Sequence, residues 1–376
     1  MTRKLSRAIF SIDWGIVGSL IPLIAGGLMT MYSFSGNEDF FYRQIIWVTV
    51  SFGVFFILSF IDFRFLRKTG PVVAVFLAAL AGLFAVLLIG HTVKGAKSWI
   101  SLGPISFQPA DFAKLALIIV LAKYFSKRHV EIGNIRHIVV SGLYAFIFFF
   151  LVMLQPDLGL GIIIFAVWFG MILMAGISKK HLFAVIAIVA ISFAGLWTFA
   201  FKDYQKSRIR TFLHPLADVR GAGYNSYQSM IAIGSGQIFG KGIGYGTQSR
   251  LNFLPEYQAD FIFAAFAEEW GFVGVLFLVG FFCFLVFRIL DSALKGETNF
   301  EILYCSGLAI MLIAHFVINI GMNMGLMPVT GIPLPFVSYG GSHLLVEFVG
   351  LGILMGMRRY QRQAHKDLMK NEFVGY

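Results

Sequence analysis

Residues 72–90 read VVAVFLAALAGLFAVLLIG, nineteen positions that include no charged side chain. A helix needs about 20 predominantly apolar residues to cross the hydrocarbon core of a bilayer. Inside lipid every backbone N–H and C=O group must be satisfied by the protein, and a helix achieves this along its own length. The stretch therefore predicts a transmembrane helix.

Similar apolar runs recur along the whole chain. They predict ten spans, at residues 11–33, 41–61, 72–90, 107–122, 138–154, 158–177, 181–200, 260–287, 302–326 and 337–357. One connection is much longer than the others, residues 201–259 between the seventh and eighth spans. The prediction is an all-α polytopic membrane protein, in which residues 1–376 form one integral membrane domain with a single long loop.

The composition excludes an ordinary soluble domain. Of the 376 residues, 58% are hydrophobic and 13% are charged, and the mean hydropathy is +0.80. Soluble domains contain about 45–50% apolar residues and about 25% charged residues. Both differences indicate a chain whose surface faces lipid.

The net charge of +11 reflects membrane topology rather than nucleic-acid binding. Most Lys and Arg residues fall in alternate connections, which the positive-inside rule places in the cytoplasm. These basic segments are 3–7, 64–68, 123–136, 179–180, 288–295 and 358–370. Ten spans then place both termini in the cytoplasm and the long loop outside. The basic N-terminal residues followed by an apolar run are typical of a signal anchor.

Three other outer connections, at 91–114, 155–161 and 325–343, combine Pro, Gly and polar residues at the membrane edge. Irregular backbone at this depth is tolerated only where protein buries it or where it lines a wet cavity. A loop as long as 201–259 usually carries function or is disordered, and its Gly-rich, basic content favours function. We therefore expect the outer face to carry the chemistry.

Asp260 follows the long loop and opens the eighth predicted span. An ionisable group at the start of an apolar helix is a functional candidate, and partial burial raises a carboxyl pKa toward the range of a general base. The alternative is an ordinary helix-capping acid. Glu268 and Glu269 lie about two turns further into the helix, where they are either functional or paired with Arg or Lys from a neighbouring span.

Asp111 and Lys114 have the i,i+3 spacing that allows an ion pair on one helix face. Such a pair is either structural or positions polar groups of a substrate. The long loop opens with basic residues that would attract phosphate, or would simply lie solvated beside anionic lipid. These groups suit an anionic, lipid-linked substrate and do not separate an enzyme from a transporter.

Several other kinds of site are excluded by the sequence. The chain has no GxxxxGK(S/T) motif, and none of its Gly-rich runs has the βαβ context of a dinucleotide-binding GxGxxG. It has no Cys and His set with zinc spacing and no GxSxG elbow.

Four segments resemble the SEDS family (shape, elongation, division and sporulation), the group that includes RodA, FtsW and SpoVE. They are GAKSWISLGPISFQPADFAK at 95–114, QPDLG at 155–159, the run at 227–274 that contains GKGIGYGTQSRLNFLPEYQADFIFAAFAEEWG, and GIPLPFVSYGGS at 331–342. The segments are long, ordered and spread over most of the chain. The spacing between WISLG and FQP is more similar to RodA than to FtsW.

The resemblance implies a peptidoglycan glycosyltransferase that polymerises lipid II on the outer face of the bacterial cytoplasmic (inner) membrane, for cell elongation and shape. The 4-hydroxyl of one disaccharide attacks the anomeric carbon of a polyprenyl-pyrophosphate-linked glycan, with inversion of configuration. Asp260 matches the essential aspartate of the family motif and would activate that hydroxyl. Asp111 and Lys114 match an acid–Lys pair that would tie helices around the cavity and couple to activation.

The predicted site residues fall into two sets besides Asp260. The substrate-binding set is Lys114, Lys202, Arg208, Arg210, Gln248 and Ser338, and the structural or activation set is Asp111, Lys114, Glu268 and Glu269. The assignment of the basic loop residues to pyrophosphate follows from their charge and not from a motif. The Pro333–Ser342 loop, by resemblance, would help to close the same cavity.

Four positions depart from the family pattern. Asp111 stands where the family usually has Glu, Leu160 replaces a usual Thr, His343 replaces a usual Ser or Thr, and Asn225 replaces a usual Gln. None of them affects Asp260, so they bear on fine substrate contacts rather than on the class of protein.

The resemblance also implies a class B penicillin-binding protein as transpeptidase partner, beside membrane lipid and without nucleic acid. No protein ligand set for a metal is readable, although a divalent cation such as Mg²⁺ would help to neutralise pyrophosphate. Two other functions stay open, a lipid II flippase, with the buried acids and Lys114 along its path, and a non-catalytic cell-wall scaffold. A related transfer such as O-antigen ligation is a third.

Overall fold

The computed structural model describes residues 12–33, 38–93, 96–103, 105–127, 135–199, 203–213, 223–251, 253–254 and 256–373. Ten long helices account for most of them: α1 Trp14–Tyr32, α2 Glu38–Ser59, α3 Thr69–Ile89, α4 Pro109–Ser126, α5 Ile135–Leu154, α6 Leu158–Ala175, α7 Lys179–Phe199, α11 Ile262–Leu294, α12 Asn299–Asn323 and α13 Gly341–Phe373. Shorter helices are α8 Asp203–Leu213, α9 Tyr224–Ser235 and α10 Thr247–Arg250, and a 3₁₀ helix covers Phe63–Arg67.

Each of the ten predicted spans corresponds to one long helix, which confirms the polytopic all-α prediction. Seven of these helices are long and apolar enough to cross a membrane by length and composition. The helices that correspond to the eighth and tenth predicted spans, α11 and α13, begin later than predicted, at Ile262 and Gly341. Residues just before Gly341 are apolar but not helical, and Phe336 among them has a left-handed φ of +61°.

The centre of the bundle is formed by α4 and α12. Of the 18 residues of α4, 14 are buried, as are 17 of the 25 residues of α12. α4 packs against α3, α6 and α12, and α12 packs also against α11. A helix surrounded by protein can hold charged side chains that its neighbours pair, whereas a lipid-facing helix cannot. This explains why the ionisable residues of α4 are tolerated.

A small antiparallel sheet interrupts the helical pattern between α3 and α4. It consists of β1 His91–Val93, β2 Ala96–Leu102 and β3 Ile105–Phe107, in the order β1-β2-β3. Its middle strand is tied to the turn before α6, because the backbone N–H of Lys97 donates to the carbonyl of Gln155 at 3.2 Å. The sheet is a departure from the purely helical prediction, and it orders one of the three irregular outer connections.

The stretch predicted as one long loop, 201–259, contains regular structure. It holds α8, α9 and α10, and residues 223–251, here called the outer segment, pack against α11. The approach is close, because a Cβ on Gly236 would lie 2.0 Å from the carbonyl oxygen of Ala267. The predicted long connection thus contains short helices that pack on α11, because glycines, which serve as turn signals in a sequence, also permit close packing of backbones.

α11 is broken at Gly271, whose φ of +65° and ψ of −170° are not helical. The outer segment fills the break with four backbone hydrogen bonds. Lys241 and Gly242 donate their N–H groups to the carbonyls of Glu268 and Glu269, each at 3.0 Å. Phe272 and Val273 donate theirs to the carbonyls of Gln237 and Ile238, at 2.9 and 3.0 Å respectively. Non-helical backbone at membrane depth is thus satisfied by protein, as it must be.

Asp13, the N-cap residue of α1, joins three helices at the end of the bundle remote from the outer segment. Its carboxylate caps the N–H of Gly15 at 3.0 Å, binds Arg288 of α11 at 2.6 Å and pairs with Arg358 of α13. Burial alone would raise the pKa of Asp13, but the two guanidinium groups hold it below its usual range.

Asp13→Asn should keep the helix cap but leave two guanidinium groups without their shared counter-ion. We expect unfolding free energy to fall by ~2–3 kcal/mol at neutral pH, since breaking one side of a buried pair strands charge. Because the folded pKa of Asp13 is lowered, its contribution is present above the usual carboxyl range and is lost as the pH falls through the folded pKa. Thermal unfolding in detergent should therefore show a difference from wild type that shrinks on acidification.

The matched control is Asp62→Asn, which also keeps a helix cap and removes a carboxylate paired with the 60% exposed Arg64. Exposed pairs contribute little, so a loss under ~0.5 kcal/mol is expected there. Equal losses for the two variants would contradict the assignment.

Gly271→Ala should prevent the outer segment from docking. The new Cβ would lie 2.1 Å from the backbone N of Gly240, and the φ and ψ of Gly271 are accessible essentially to glycine alone. We expect a loss of at least ~3 kcal/mol, seen as low yield and early unfolding in fluorescence-detected size exclusion. Gly280→Ala, on the same helix with open space around its Cβ position, should behave like wild type.

Candidate functional site

Asp260 lies half-buried in the turn that leads into α11. The N-cap residue of that helix is Phe261, so Asp260 stands one residue before the cap. The side-chain amides of Asn319 and Asn323 on α12 donate to the backbone carbonyl of Asp260, at 3.0 and 3.1 Å. Both asparagines are fully buried. The main chain at Asp260 is therefore fixed by two amides from the most central part of the bundle.

The carboxylate of Asp260 faces the connection between α12 and α13. A Cβ placed on Gly331 would lie 3.6 Å from Asp260 Oδ2, which locates the carboxylate beside this glycine. The amide of Asn319 also donates to the carbonyl of Ile332 at 2.7 Å, so one side chain holds both Asp260 and the connection.

The predicted Pro333–Ser342 loop lies against the residues before Asp260. Ser338 Oγ donates to the carbonyl of Ala259 at 2.7 Å and accepts from the N–H of Leu334 at 2.7 Å. Tyr339 donates its N–H to the carbonyl of Gln258 at 2.8 Å. The buried Ser338 hydroxyl thus serves the backbone in this structure, and its contact with substrate stays a prediction.

The other outer connections converge on the same region. Gln108, just before α4, donates its N–H to Ser342 Oγ at 3.1 Å. A Cβ on Gly159, in the QPDLG motif, would lie 2.7 Å from the carbonyl oxygen of Thr330. Burial raises the pKa of Asp157, the N-cap residue of α6. The hydrogen bond that its carboxylate accepts from the Leu160 N–H acts in the opposite direction but is the smaller effect.

Asp111 and Lys114 form the predicted ion pair, with Lys114 Nζ 2.7 Å from Asp111 Oδ1 and both residues 1% exposed. Their surroundings contain two histidines that the sequence reasoning did not connect with them. Lys114 Nζ lies 3.0 Å from His315 Nε2 on α12, and His343 Nδ1 on α13 lies 3.5 Å from Asp111 Oδ1. The pair therefore contacts α12 and α13 as well as α4, and the role in activation that the resemblance implied stays a prediction. Its contact with substrate stays a prediction.

Glu268 binds the outer segment and not a neighbouring span. Its carboxylate accepts from Lys241 Nζ at 2.7 Å and from the backbone N–H groups of Thr247 and Gln248 at 2.8 and 3.1 Å. The alternative of a partner from an adjacent span was wrong, since the cation comes from the segment just upstream in the chain. Glu268 is fully buried, so it anchors the start of α10 to α11.

Glu269 links the outer segment to the end of α1. It accepts from Ser33 Oγ at 2.5 Å and from the N–H of Gly244 at 3.0 Å. Together with Glu268, it fixes residues 241–248 from below. Both acids thus contact protein groups, and their structural or activation role stays a prediction.

The remaining predicted substrate contacts are less completely described. Lys202 lies outside the described residues, and only the backbone of Arg208 is described, within α8. Arg210 is exposed in the last turn of the same helix. Gln248 is held through its backbone, while its Oε1 is buried and has no hydrogen-bond partner within the described part of the chain. These four assignments stay predictions.

No group of three or more His, Cys, Asp and Glu side chains within the described residues is placed to hold a metal ion. The arrangement offers instead a half-buried carboxylate on a rigid main chain, a basic helix nearby in sequence, and an orphaned amide oxygen on the outer segment. Such a set can accept a proton from a hydroxyl and receive an anionic leaving group.

Sequence reasoning missed Asn319, Asn323 and Glu347. The two asparagines stand at i,i+4 near the end of an apolar helix, a spacing that puts both amides on one face. Polar residues inside a membrane helix require partners, so this spacing could have indicated a shared backbone acceptor.

Comparison with known proteins places the chain in a family. The family model described as cell cycle protein, FtsW/RodA/SpoVE, matches residues 7–363. The peptidoglycan glycosyltransferase MrdB of Escherichia coli K12 is 35% identical over 350 residues, covering 93% of this chain and 94% of that protein. The stage V sporulation protein E of Bacillus subtilis is 34% identical over 348 residues, covering 92% and 94%.

Solved structures give the same result. A chain from a peptidoglycan synthase complex that coordinates polymerization and crosslinking has a TM-score of 0.80 and 31% identity, over 93% of this chain and 98% of that one. The rod shape determining protein RodA of Thermus thermophilus has a TM-score of 0.70 and 30% identity, over 92% and 96%. This chain therefore belongs to the FtsW/RodA/SpoVE family of membrane proteins, the SEDS family, and is similar to its RodA members.

Proposed function

We propose that this chain is a peptidoglycan glycosyltransferase that polymerises lipid II, with Asp260 as its general base. The observation that carries the proposal is the placement of Asp260. It is the half-buried acid where the outer segment joins α11, and its main chain is fixed by Asn319 and Asn323. Family membership and the names of the relatives support the class of reaction, and this geometry supports Asp260 as the base.

In the proposed reaction the 4-hydroxyl of an acceptor disaccharide attacks the anomeric carbon of a polyprenyl-pyrophosphate-linked donor. Asp260 accepts the hydroxyl proton as the new C–O bond forms. The bond between the anomeric carbon and the pyrophosphate oxygen breaks, and polyprenyl pyrophosphate leaves from the opposite side, so configuration inverts. A general base contributes most when it is held at a fixed distance, which the backbone clamp on Asp260 provides.

The leaving pyrophosphate requires cationic or hydrogen-bonding partners. Lys202, Arg208 and Arg210 are proposed for this role because they cluster at the start of the segment that leads to Asp260. Gln248 and Ser338 are proposed to bind polar groups of the sugars, with Lys114 deeper in the bundle. The buried Oε1 of Gln248 has no hydrogen-bond partner among the described residues, and this supports its assignment, since such an oxygen is costly to leave unmatched.

Within the described residues no cluster of acidic, His or Cys side chains is placed to hold a divalent cation such as Mg²⁺. No step of the proposed reaction is routed through a metal.

We propose that the protein lies in the bacterial cytoplasmic membrane, with both termini in the cytoplasm and Asp260 at the outer edge. The distribution of basic residues supports this orientation. A class B penicillin-binding protein is the proposed crosslinking partner, by analogy with the related synthase complex. The flippase alternative loses support because Glu268 and Glu269 bind the outer segment instead of lining a path between helices.

Asp260→Asn should abolish polymerisation while leaving the fold intact, because the backbone clamp does not involve the carboxylate. We expect a fall in rate of at least ~100-fold, the scale of a lost general base. The measurement is glycan length on gels after purified protein meets lipid II in liposomes, with and without a transpeptidase partner.

The control is Asp62→Asn, the same charge change at the N-cap of the Phe63–Arg67 helix. This short helix follows the C-terminal end of α2. It should retain full activity. Normal polymerisation by folded Asp260→Asn would remove the assigned base. If no condition gives polymer, lipid II translocation is the assay for the flippase reading.

Arg210→Gln should weaken capture of the diphosphate substrate more than turnover. Because Arg210 is exposed, we expect a rise in KM of about 3–10-fold with kcat nearly unchanged. The effect should shrink with added salt, which screens exposed charges. Lys295→Gln, an exposed cation at the far end of α11, is the control, and equal changes in both variants would argue against a specific phosphate contact.

A further inference from the structure

Five ionisable side chains form a buried cluster where α4, α12 and α13 meet. They are Asp111, Lys114, His315, His343 and Glu347, each at most 7% exposed. The family resemblance accounts for the first two only. His343 is one of the positions at which this chain departs from the family pattern, and Glu347 follows it by one helical turn.

The charges of this cluster can be counted from geometry. Lys114 Nζ pairs with Asp111 Oδ1 at 2.7 Å and lies 3.0 Å from His315 Nε2. An ammonium group only donates, so His315 Nε2 must accept and the His315 ring is neutral. Lys114 is therefore balanced by Asp111, and Glu347 needs a different cation.

His343 lies between the two buried carboxylates. Its Nε2 is 3.0 Å from Glu347 Oε1, an ion-pair distance without hydrogen-bond alignment, and its Nδ1 is 3.5 Å from Asp111 Oδ1. An imidazole with an acid at each nitrogen is favoured as the doubly protonated cation. The four charged residues then sum to zero. Asp157, the next acid toward α6, caps the N–H of Leu160.

Glu347 also holds the loop that lies against Asp260. Its Oε2 accepts the N–H of Phe336 at 3.1 Å. Phe336 has a φ of +61°, a conformation that a bulky residue adopts only when its surroundings enforce it. Two residues later Ser338 binds the carbonyl of Ala259, adjacent to Asp260.

We propose that His343 and Glu347 form a second buried ion pair that acts as a positioning element for Asp260, with Glu347 fixing the Phe336–Ser338 turn and His343 supplying the compensating charge. The proposal rests on the proposed function for its catalytic part only. The pair extends the Asp111–Lys114 contact from α4 to α13. Four charges on these two helices are thereby linked to the conformation of the Phe336–Ser338 turn.

Two double variants separate charge from positioning. His343→Ser strands the Glu347 carboxylate, and a second change to Gln or Leu at position 347 removes that charge. Gln keeps an acceptor for the Phe336 N–H, whereas Leu, of similar volume, does not. Glu347→Gln alone should be mild, because Gln keeps the acceptor for the Phe336 N–H and His343 still has Asp111 beside its Nδ1 or can release its proton.

The assay is lipid II polymerisation by the full chain in liposomes, with kcat and KM measured separately, alongside thermal unfolding. We expect His343→Ser to lower kcat at least about tenfold with KM changed less than about threefold. Adding Glu347→Gln should restore kcat to within about threefold of wild type, and adding Glu347→Leu should restore thermal stability but not kcat. His137→Ser, a buried histidine on α5 bound to Tyr124 at 3.0 Å, should lower stability without lowering kcat.

Unchanged kcat in His343→Ser, or a Gln double variant no better than His343→Ser, would overturn the ion pair. Equal kcat for the Gln and Leu double variants would overturn the positioning role. If wild type makes no polymer, the proposed function fails. The thermal stabilities of the same variants still test the ion pair, because Glu347→Gln is expected to restore the stability of His343→Ser only if the two charges are coupled.

Discussion

Four backbone hydrogen bonds between the interrupted α11 and residues 237–242 hold the outer face of this protein together. A helix in lipid normally satisfies its own backbone, and a break at Gly271 leaves carbonyl and N–H groups that would cost several kcal/mol each if unmatched. The outer segment supplies all four partners, and Glu268 and Glu269 add side-chain contacts above the break. Because α11 also begins two residues after Asp260, the docked segment and the candidate base share one support.

The way in which Asp260 is held follows from this arrangement. Its carbonyl is bound by Asn319 and Asn323, and its chain neighbours are bound by Ser338 and Tyr339. The hydrogen bonds that fix this region are thus made to main-chain carbonyl groups. A carboxylate used for catalysis can then change protonation state without unfastening the backbone that positions it. Polar side chains in the middle of the bundle would be costly in isolation. Here they are explained by the main-chain groups that they bind.

The sequence predicted the number and order of the long helices because apolar length is a direct requirement of the bilayer. It also indicated Asp260 and the Asp111–Lys114 pair, the latter through i,i+3 spacing. It did not predict the partner of Glu268, because Lys241 lies 27 residues away on a segment whose glycines resemble turn signals. It did not predict the His343 and Glu347 contacts either, since these depend on which face of α13 meets α4. Local spacing determines helices and pairs within a helix, whereas contacts between helices depend on packing.

The broken helix also constrains how the protein enters the membrane. Residues 237–242 precede α11 in the chain, so the partner of the break is already synthesised when the helix itself is inserted. A continuous helix can partition into lipid before it meets its neighbours. α11 cannot do so without exposing open backbone groups to hydrocarbon, and its insertion is therefore coupled to capture by the segment that precedes it. Docking of residues 237–242 and integration of α11 form a single assembly step, and a delay in the first leaves the second with unmatched backbone groups.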